Sequence, residues 1–343
     1  MPLGKFFAKN IGIDLGTTNT LVYEKRDGII VNEPSVVAIR KDTGAIVAVG
    51  EEAKKMVGRT PESIEAIRPM KDGVVAYFDV TRKMLRHLVS RVYRRRALFK
   101  PRVVICVPSG VTEVEKRAVQ DAINQTGVRE SYLLEESVAA AIGADLPVEE
   151  PAGSMIVDIG GGTSEVAVIS LGGIVTSEML RVGGDEMDEA IIRYIKKTYG
   201  LMIGERTAEN IKIEVGGAYP RPENKKVEIR GRDLVTGLPR VLSVNSREIE
   251  EALAEPVASI LETIKATLER TPPELAADIK EKGIMMTGGG SLLQGLDKLV
   301  AEKTGIPVLM AENPLKSVAL GAGKALEDIN FLKRVAILPD KKI

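Results

Sequence analysis

Two short segments of the chain, residues 10–20 (NIGIDLGTTNT) and 155–164 (MIVDIGGGTS), follow one plan. In each, an apolar run ends in an aspartate (Asp14 or Asp158), and one more apolar residue leads to glycine and threonine. Glycine has no Cβ, so such turns let backbone N–H groups approach an anion. A carboxylate at the strand end can hold Mg²⁺ through its waters. The duplication predicts two similar units that grip a nucleotide phosphate chain from both sides.

Both turns are predicted to lie in β-hairpins. Residues 20–23 and 165–171 read as strands, and each directly follows its glycine turn. In Walker and Rossmann motifs the glycines lead into a helix, and neither GxGxxG nor GxxxxGK[ST] occurs in these turns. The hairpin setting therefore excludes those two classes of phosphate loop.

The order of predicted elements repeats along the chain and indicates an α/β protein made of two mixed halves. Apolar spacing and capping residues predict helices at 80–93, 113–126 (N-cap Thr112), 137–142, 185–199, 206–215, 246–270 with a break at Pro256, and 292–303. Insertions at 33 to about 78 and 185 to about 255 distinguish the halves. We expect one domain from 1–147 plus about 318–343, and a second from 148–317.

Composition limits the function classes. Lys+Arg and Asp+Glu both number 48, so the net charge gives no case for nucleic-acid binding. Aromatic residues make up 3%, which disfavours stacking platforms for single strands. The single cysteine, Cys106, lies in an apolar run and excludes an intrachain disulfide framework. No apolar stretch approaches about 20 residues, and the N-terminus lacks a signal-peptide core, so we expect a cytoplasmic protein.

Three further segments are candidates for ligand contact. Residues 288–292 (GGGSL) form a third glycine-rich turn, predicted to open a helix, although such a turn also serves tight strand–helix packing alone. Glu136 precedes the small-residue helix, where it either favours the helix dipole or orients water for attack on a phosphate. Glu209 and Lys212 share a helix face, which suits either a surface ion pair or contact with a nucleoside.

Together these residues resemble the actin/Hsp70/sugar-kinase superfamily and, within it, the MreB/Mbl family of bacterial actins. The segments most similar to that family are residues 32–35 (NEPS), 66–73 (AIRPMKDG), 100–104 (KPRVV) and 183–188 (GGDEMD). The resemblance implies an actin-like ATPase fold, in which two RNase H-like domains, each with a smaller inserted subdomain, surround a cleft that binds ATP and Mg²⁺.

The resemblance also assigns roles to individual residues. It implies Mg²⁺-side carboxylates, which are also catalytic, at Asp14 and Asp158, and a catalytic water-positioning acid at Glu136. It implies phosphate-loop contacts from Gly16, Thr17, Thr18, Asn19, Gly160, Gly161, Gly162 and Thr163. It implies nucleoside contacts from Glu209, Asn210, Ile211, Lys212, Gly288, Gly289, Gly290, Ser291 and Leu292. One departure is Ser137, where many relatives have proline, and loss of that proline would loosen the helix start.

The function implied is a membrane-associated, ATP-dependent filament protein that organises cell-wall synthesis and rod shape, with slow hydrolysis. Its implied partners are further copies of itself, the inner face of the cell membrane, and the cell-wall elongation machinery with its membrane adaptors. Apolar residues beside basic ones predict membrane contacts at Phe6, Phe7, Leu98 and Phe99. The alternatives are that Leu98 and Phe99 cap the core below them and that the N-terminus is a frayed tail. The alternative is a soluble ATPase or small-molecule kinase on the same fold, for which we find no acceptor-site base.

Overall fold

The computed structural model describes residues 10–92, 100–220 and 223–337. The strands are β1 (Asn10–Leu15), β2 (Asn19–Glu24), β3 (Gly28–Pro34), β4 (Val37–Arg40), β5 (Ile46–Val49), β6 (Ile64–Ile67), β7 (Met70–Lys71), β8 (Val74–Val75), β9 (Arg102–Val107), β10 (Glu130–Glu135), β11 (Ser154–Ile159), β12 (Ser164–Ser170), β13 (Gly173–Leu180), β14 (Leu201–Met202), β15 (Lys226–Asp233), β16 (Pro239–Asn245), β17 (Ile284–Thr287) and β18 (Val308–Met310). The helices are α1 (Glu51–Lys54), α2 (Phe78–Val92), α3 (Glu113–Asn124), α4 (Glu136–Gly143), α5 (Gly184–Tyr199), α6 (Glu205–Val215), α7 (Ser246–Glu269), α8 (Pro273–Lys282), α9 (Leu296–Thr304), α10 (Ser317–Ala325) and α11 (Ile329–Val335).

Two five-stranded sheets have the same topology. The first has the strand order β10-β9-β1-β2-β3 and the second the order β18-β17-β11-β12-β13. In each sheet the central strand is antiparallel to its hairpin partner and parallel to a later strand reached by a crossover. The duplication expected from the two aspartate turns is therefore present in the backbone, and the α/β fold class is confirmed.

The central strands carry Asp14 and Asp158 to equivalent positions. β11 is buried throughout, and most of β1 is buried, as expected for strands covered by helices on both faces. Asp14 lies opposite Leu21 of β2, and Asp158 lies opposite Glu165 of β12. Each aspartate thus comes near the carboxyl end of a buried central strand, directly before its turn.

Two small sheets occupy the segments that the sequence analysis set apart as insertions. The sheet β5-β4-β6 lies between β3 and α2, and the sheet β14-β15-β16 lies between α5 and α7. These positions agree with insertions at about 33–78 and 185–255. The exact domain limits stay predictions.

Two helix predictions need correction. The long helix does not break at Pro256, because α7 runs through it with a capping box at Asn245 and an apolar face in the core. That packing offsets the cost of an interior proline, about 3 kcal/mol. The helix predicted to begin at 292 begins at Leu296 instead. Gly295, with φ of 79°, interrupts it, and Gly290–Leu292 forms a 3₁₀ turn. By contrast, Thr112 is the N-cap of α3, as predicted, and the structure adds a capping box with Glu115.

Helices α4 and α10 pack with their backbones in close contact. A Cβ added at Gly321 would lie 1.7 Å from the carbonyl oxygen of Ala139, and one at Gly143 would lie 1.9 Å from that of Ser317. α10 also packs against β1 and β2 of the first sheet. The small-residue sequence of α4 therefore serves a close helix pair beneath the first aspartate turn.

We expect Gly321→Val to lower the free energy of unfolding by about 3 kcal/mol, the upper end of the usual cost of overpacking, because the helices must separate to admit the side chain. Denaturant unfolding followed by circular dichroism measures the change. Gly204→Ala is the matched control, since its Cβ would meet nothing within 4 Å. A Gly321→Val protein as stable as this control would contradict the close helix packing.

Candidate nucleotide-binding site

The two aspartate turns lie directly against each other. A Cβ added at Gly161 would lie 1.8 Å from the Oγ1 of Thr18, and one at Gly162 would lie 2.8 Å from the Oγ1 of Thr17. Only glycine allows this approach, so the glycines of the second turn are required by the threonines of the first. The structure therefore brings together the two turns that the sequence placed far apart.

The first turn is held by residues that the sequence analysis gave no role. The Ser35 hydroxyl donates to the carbonyl oxygen of Gly16 at 2.6 Å, and the Ser35 N–H donates to that of Thr18 at 2.9 Å. The N–H of Gly73 donates to the Thr17 hydroxyl at 3.0 Å. Ser35 and Gly73 lie in the family-like segments 32–35 and 66–73, which were the only sequence signal for them.

The second turn is joined to the start of α5. The N–H groups of Gly184 and Asp185 donate to the carbonyl oxygens of Gly160 and Gly161 at 3.0 and 2.8 Å. The Asp185 carboxylate accepts a hydrogen bond from the Thr18 hydroxyl at 3.3 Å. Residues 183–188 therefore support one turn and contact the other, a role that their similarity to the family did not specify.

The third glycine turn lies beside Asp158. A Cβ added at Gly288, whose φ is 82°, would lie 2.4 Å from the Oδ1 of Asp158. The Ser291 hydroxyl donates to the carbonyl oxygen of Gly288 at 2.7 Å, while the Leu292 side chain is exposed. Because a 3₁₀ turn follows, the expected helix N-terminus is not present here, and a dipole argument for anion binding does not apply. Ligand contact by Gly289 and Gly290 stays a prediction.

Two ion pairs connect helix α6 to neighbouring elements at the cleft. Lys212 contacts the Asp188 carboxylate at 2.9 Å and donates to the carbonyl oxygen of Gly184 at 2.7 Å. Glu209 pairs instead with Lys54 of α1 at 3.6 Å. The alternative of a Glu209–Lys212 surface pair is therefore not what the structure contains. Nucleoside contact stays a prediction.

The other two predicted residues of this helix differ in exposure. Ile211 is buried in the core, so its side chain serves packing, and Asn210 is exposed.

Ion pairs also connect the two inserted segments. Arg68, just after β6, contacts Glu205 of α6 at 3.1 Å, and Lys54 of α1 pairs with Glu209 of the same helix. These side chains are partly exposed, and such pairs contribute up to about 1 kcal/mol each.

Four carboxylates at the base of the cleft influence one another's ionisation. Burial, with the nearby Asp158 carboxylate, raises the pKa of Asp14 to about 7, and burial raises the pKa of Asp158 to about 7. Burial raises the pKa of Glu136 well above its ordinary value, helped by Glu165, Asp14 and Asp158. Burial and Asp158 raise the pKa of Glu165 to about 8. Such a cluster is costly to ionise without a cation, and a bound cation reverses that cost.

The cluster fits Mg²⁺ held largely through water. Asp14 and Asp158 offer the hard oxygen atoms that Mg²⁺ prefers, with the remaining positions left to water and phosphate. Across residues 10–92, 100–220 and 223–337, no three His, Cys, Asp or Glu side chains converge on a shared ligand position. Asp14 and Asp158 would therefore hold the ion together with a nucleotide.

The role of Glu136 as a water-positioning acid stays a prediction. It is the half-buried first residue of α4, directly after β10, and partial burial with the nearby carboxylates raises its pKa. It can act as a general base only when ionised, and a bound cation would favour that form. Its neighbour Glu135 is equally half-buried.

The predicted membrane residues Phe6, Phe7, Leu98 and Phe99 lie outside the described residues. Within the described part of the chain, no helix is long and apolar enough to cross a membrane.

Two sheets of one topology, with facing aspartate–glycine turns between them, define an actin-like nucleotide-binding fold. The sequence profile described as MreB/Mbl protein matches residues 8–334. The chain is 56% identical over 330 residues to the cell shape-determining protein MreB of Escherichia coli (strain K12), covering 95% of each chain. It is 52% identical over 328 residues to the cell shape-determining protein Mbl of Bacillus subtilis (strain 168), covering 96% and 98%. The chain belongs to the MreB/Mbl family.

Solved structures agree with this assignment. The crystal structure of MreB5 of Spiroplasma citri bound to ADP matches with a TM-score of 0.89 at 35% identity, covering 96% of this chain and 98% of that one. MreB5 has also been solved bound to AMPPNP. The MamK double helical filament matches with a TM-score of 0.80 at 24% identity, covering 94% and 99%, which establishes the fold alone.

Proposed function

We propose that this chain is an ATP-binding, actin-like cytoskeletal protein that assembles head to tail into paired filaments on the inner face of the cell membrane. There it organises cell-wall synthesis and maintains rod shape, with membrane adaptors of the elongation machinery as partners. The observation that carries the proposal is the contact of Thr17 and Thr18 with Gly161 and Gly162, which builds a phosphate grip from both halves. The description of curated relatives as cell shape-determining favours a cytoskeletal role.

In the proposed mechanism, the two turns bind the phosphates of ATP through their backbone N–H groups. Asp14 and Asp158 would hold Mg²⁺, and the ion would supply neutralisation of charge on the phosphate oxygens. Glu136 accepts a proton from the water that attacks the γ-phosphate. Because both halves contact the same phosphates, hydrolysis loosens the connection between them. In this mechanism, ATP hydrolysis sets the time at which filaments disassemble. The main role of the protein is therefore structural.

Sedimentation with lipid vesicles tests the proposal. We expect the protein to pellet as polymer with Mg²⁺ and ATP and to stay in the supernatant without nucleotide. Absence of polymer under every nucleotide condition would contradict the filament function. A coupled assay that detects phosphate transfer to a small acceptor would instead favour the kinase alternative.

We expect Leu98→Ser combined with Phe99→Ser to weaken binding to anionic liposomes several-fold, because each buried CH₂ contributes about 0.8 kcal/mol to membrane association. Liposome co-pelleting measures the loss, and fluorescent ATP binding serves as the control that should not change. Co-pelleting equal to that of the parent protein would count against membrane contact by these residues.

A further inference from the structure

A hydrogen-bonded chain of three buried side chains connects the two halves of the molecule at the base of the cleft. Ser109 follows β9 of the first sheet, and its N–H donates to the Oε1 of Glu165 at 2.8 Å. Its hydroxyl donates to the Oε2 of Glu165 at 3.0 Å and shares a hydrogen bond of 2.9 Å with the hydroxyl of Ser137. Glu165 belongs to β12 of the second sheet, whereas Ser137 belongs to α4.

Burial makes this arrangement specific. Glu165 is 2% exposed, Ser109 3% and Ser137 0%. A buried carboxylate is expensive unless its oxygens are hydrogen-bonded, and here a single residue satisfies both of them. Using both oxygens fixes the orientation of the carboxylate as well as its position. Ser109 is therefore held to the second sheet by two directed hydrogen bonds.

The chain runs from the second phosphate turn to the residue beside Glu136. Glu165 comes two residues after Thr163, and Ser137 directly follows Glu136. The N-cap position of α4 is Glu135, which makes no side-chain capping hydrogen bond. Among the described residues, the Ser137 hydroxyl gives the first turn of this helix a hydrogen bond to Ser109. Where proline would restrict the backbone, serine shares a hydrogen bond with Ser109, which in turn donates to Glu165 of the other half.

We propose that Glu165, acting through Ser109 and Ser137, is a positioning residue that aligns Glu136 for attack of water on ATP. The start of α4 then takes its position from β12, so the two halves must be correctly closed for hydrolysis to proceed. This inference rests on the proposed ATPase function. None of the three residues is required to touch the nucleotide.

The test is a cycle of Ser109→Ala, Ser137→Ala and the double variant, assayed for single-turnover ATP hydrolysis. A displacement of a catalytic group by about 1 Å can cost about 100-fold, so we expect each single variant to lower the hydrolysis rate about tenfold. The KM for ATP should stay near that of the parent. Because either change breaks the same chain, the double variant should be no slower than the slower single variant.

Hydrogen–deuterium exchange on the nucleotide-free protein gives a second measurement, with faster exchange expected at the first turn of α4 in both variants. Ser154→Ala is the matched control, since this buried β11 hydroxyl has no hydrogen-bond partner among the described residues. Unchanged hydrolysis in both single variants, or losses that multiply in the double variant, would overturn the inference. Failure of the proposed function looks different, because the parent protein itself would then bind no ATP or release no phosphate.

Discussion

Replacing Glu136 with alanine should leave ATP binding close to that of the parent while lowering single-turnover phosphate release at least about 100-fold. Glu136 is the half-buried first residue of α4, and it forms no ion pair within the part of the chain that the structure describes, which suits a proton acceptor better than a structural anchor. Fluorescent nucleotide binding and a phosphate-sensor assay on the same preparation separate the two effects.

Glu135→Ala is the control for this experiment. Glu135 is the neighbouring carboxylate, and it differs from Glu136 in that nearby Lys116 opposes the rise that burial causes in its pKa. We expect this variant to release phosphate at nearly the parental rate. Equal rates for Glu136→Ala and the parent would refute the assigned role, and loss of ATP binding would show that Glu136 builds the site instead.

Asp158→Asn should raise the thermal stability of the nucleotide-free protein at pH 8 and abolish the stabilisation that Mg²⁺ and ATP give to the parent. The pKa of Asp158 is about 7 when folded, against an ordinary value of 3.8. Between these values the folded protein binds more protons than the unfolded chain, so stability falls as the pH rises. Since one pKa unit corresponds to about 1.4 kcal/mol, the ionised carboxylate costs up to about 4 kcal/mol above pH 7.

Thermal melts from pH 5 to pH 8, with and without Mg²⁺ and ATP, measure this effect. The difference in stability between Asp158→Asn and the parent should widen as the pH rises, because only the parent gains a buried negative charge at position 158. Asp121→Asn, which removes an exposed carboxylate of α3, should show no such widening. A parent protein whose stability relative to Asp158→Asn is constant across this range would contradict the account of the carboxylate cluster.

The duplicated turns predicted much of the fold from sequence because each local pattern has one simple structural solution. An apolar run that ends in Asp-x-Gly and continues into a second strand forms a hairpin, and two copies imply two sheets. The N-cap at Thr112 was equally predictable, since its contacts lie within one turn of helix. The start of α9 was not, because apolar spacing does not reveal that Gly295 adopts a left-handed conformation.

The candidate site also contains some residues that the sequence could predict and others that it could not. The aspartates and glycines were found because their pattern recurs along the chain. Ser109, Glu165 and Asp185 were missed as site residues because their contacts join positions far apart in sequence. In the sequence, Glu165 is one polar residue in an apolar strand. Its hydrogen-bond partner, Ser109, belongs to the other half of the molecule, so only the structure reveals it. Ser137 was noticed as a departure from relatives, but its hydrogen bond to Ser109 required the structure.

A nucleotide held between the two facing turns is proposed to control assembly. Electron microscopy of the protein on an anionic lipid monolayer, with Mg²⁺ and ATP or without nucleotide, is the decisive experiment. We expect paired filaments with ATP, none without nucleotide, and none for Asp158→Asn under either condition. Filaments that form equally well without nucleotide, or no filaments in any condition, would contradict the proposal.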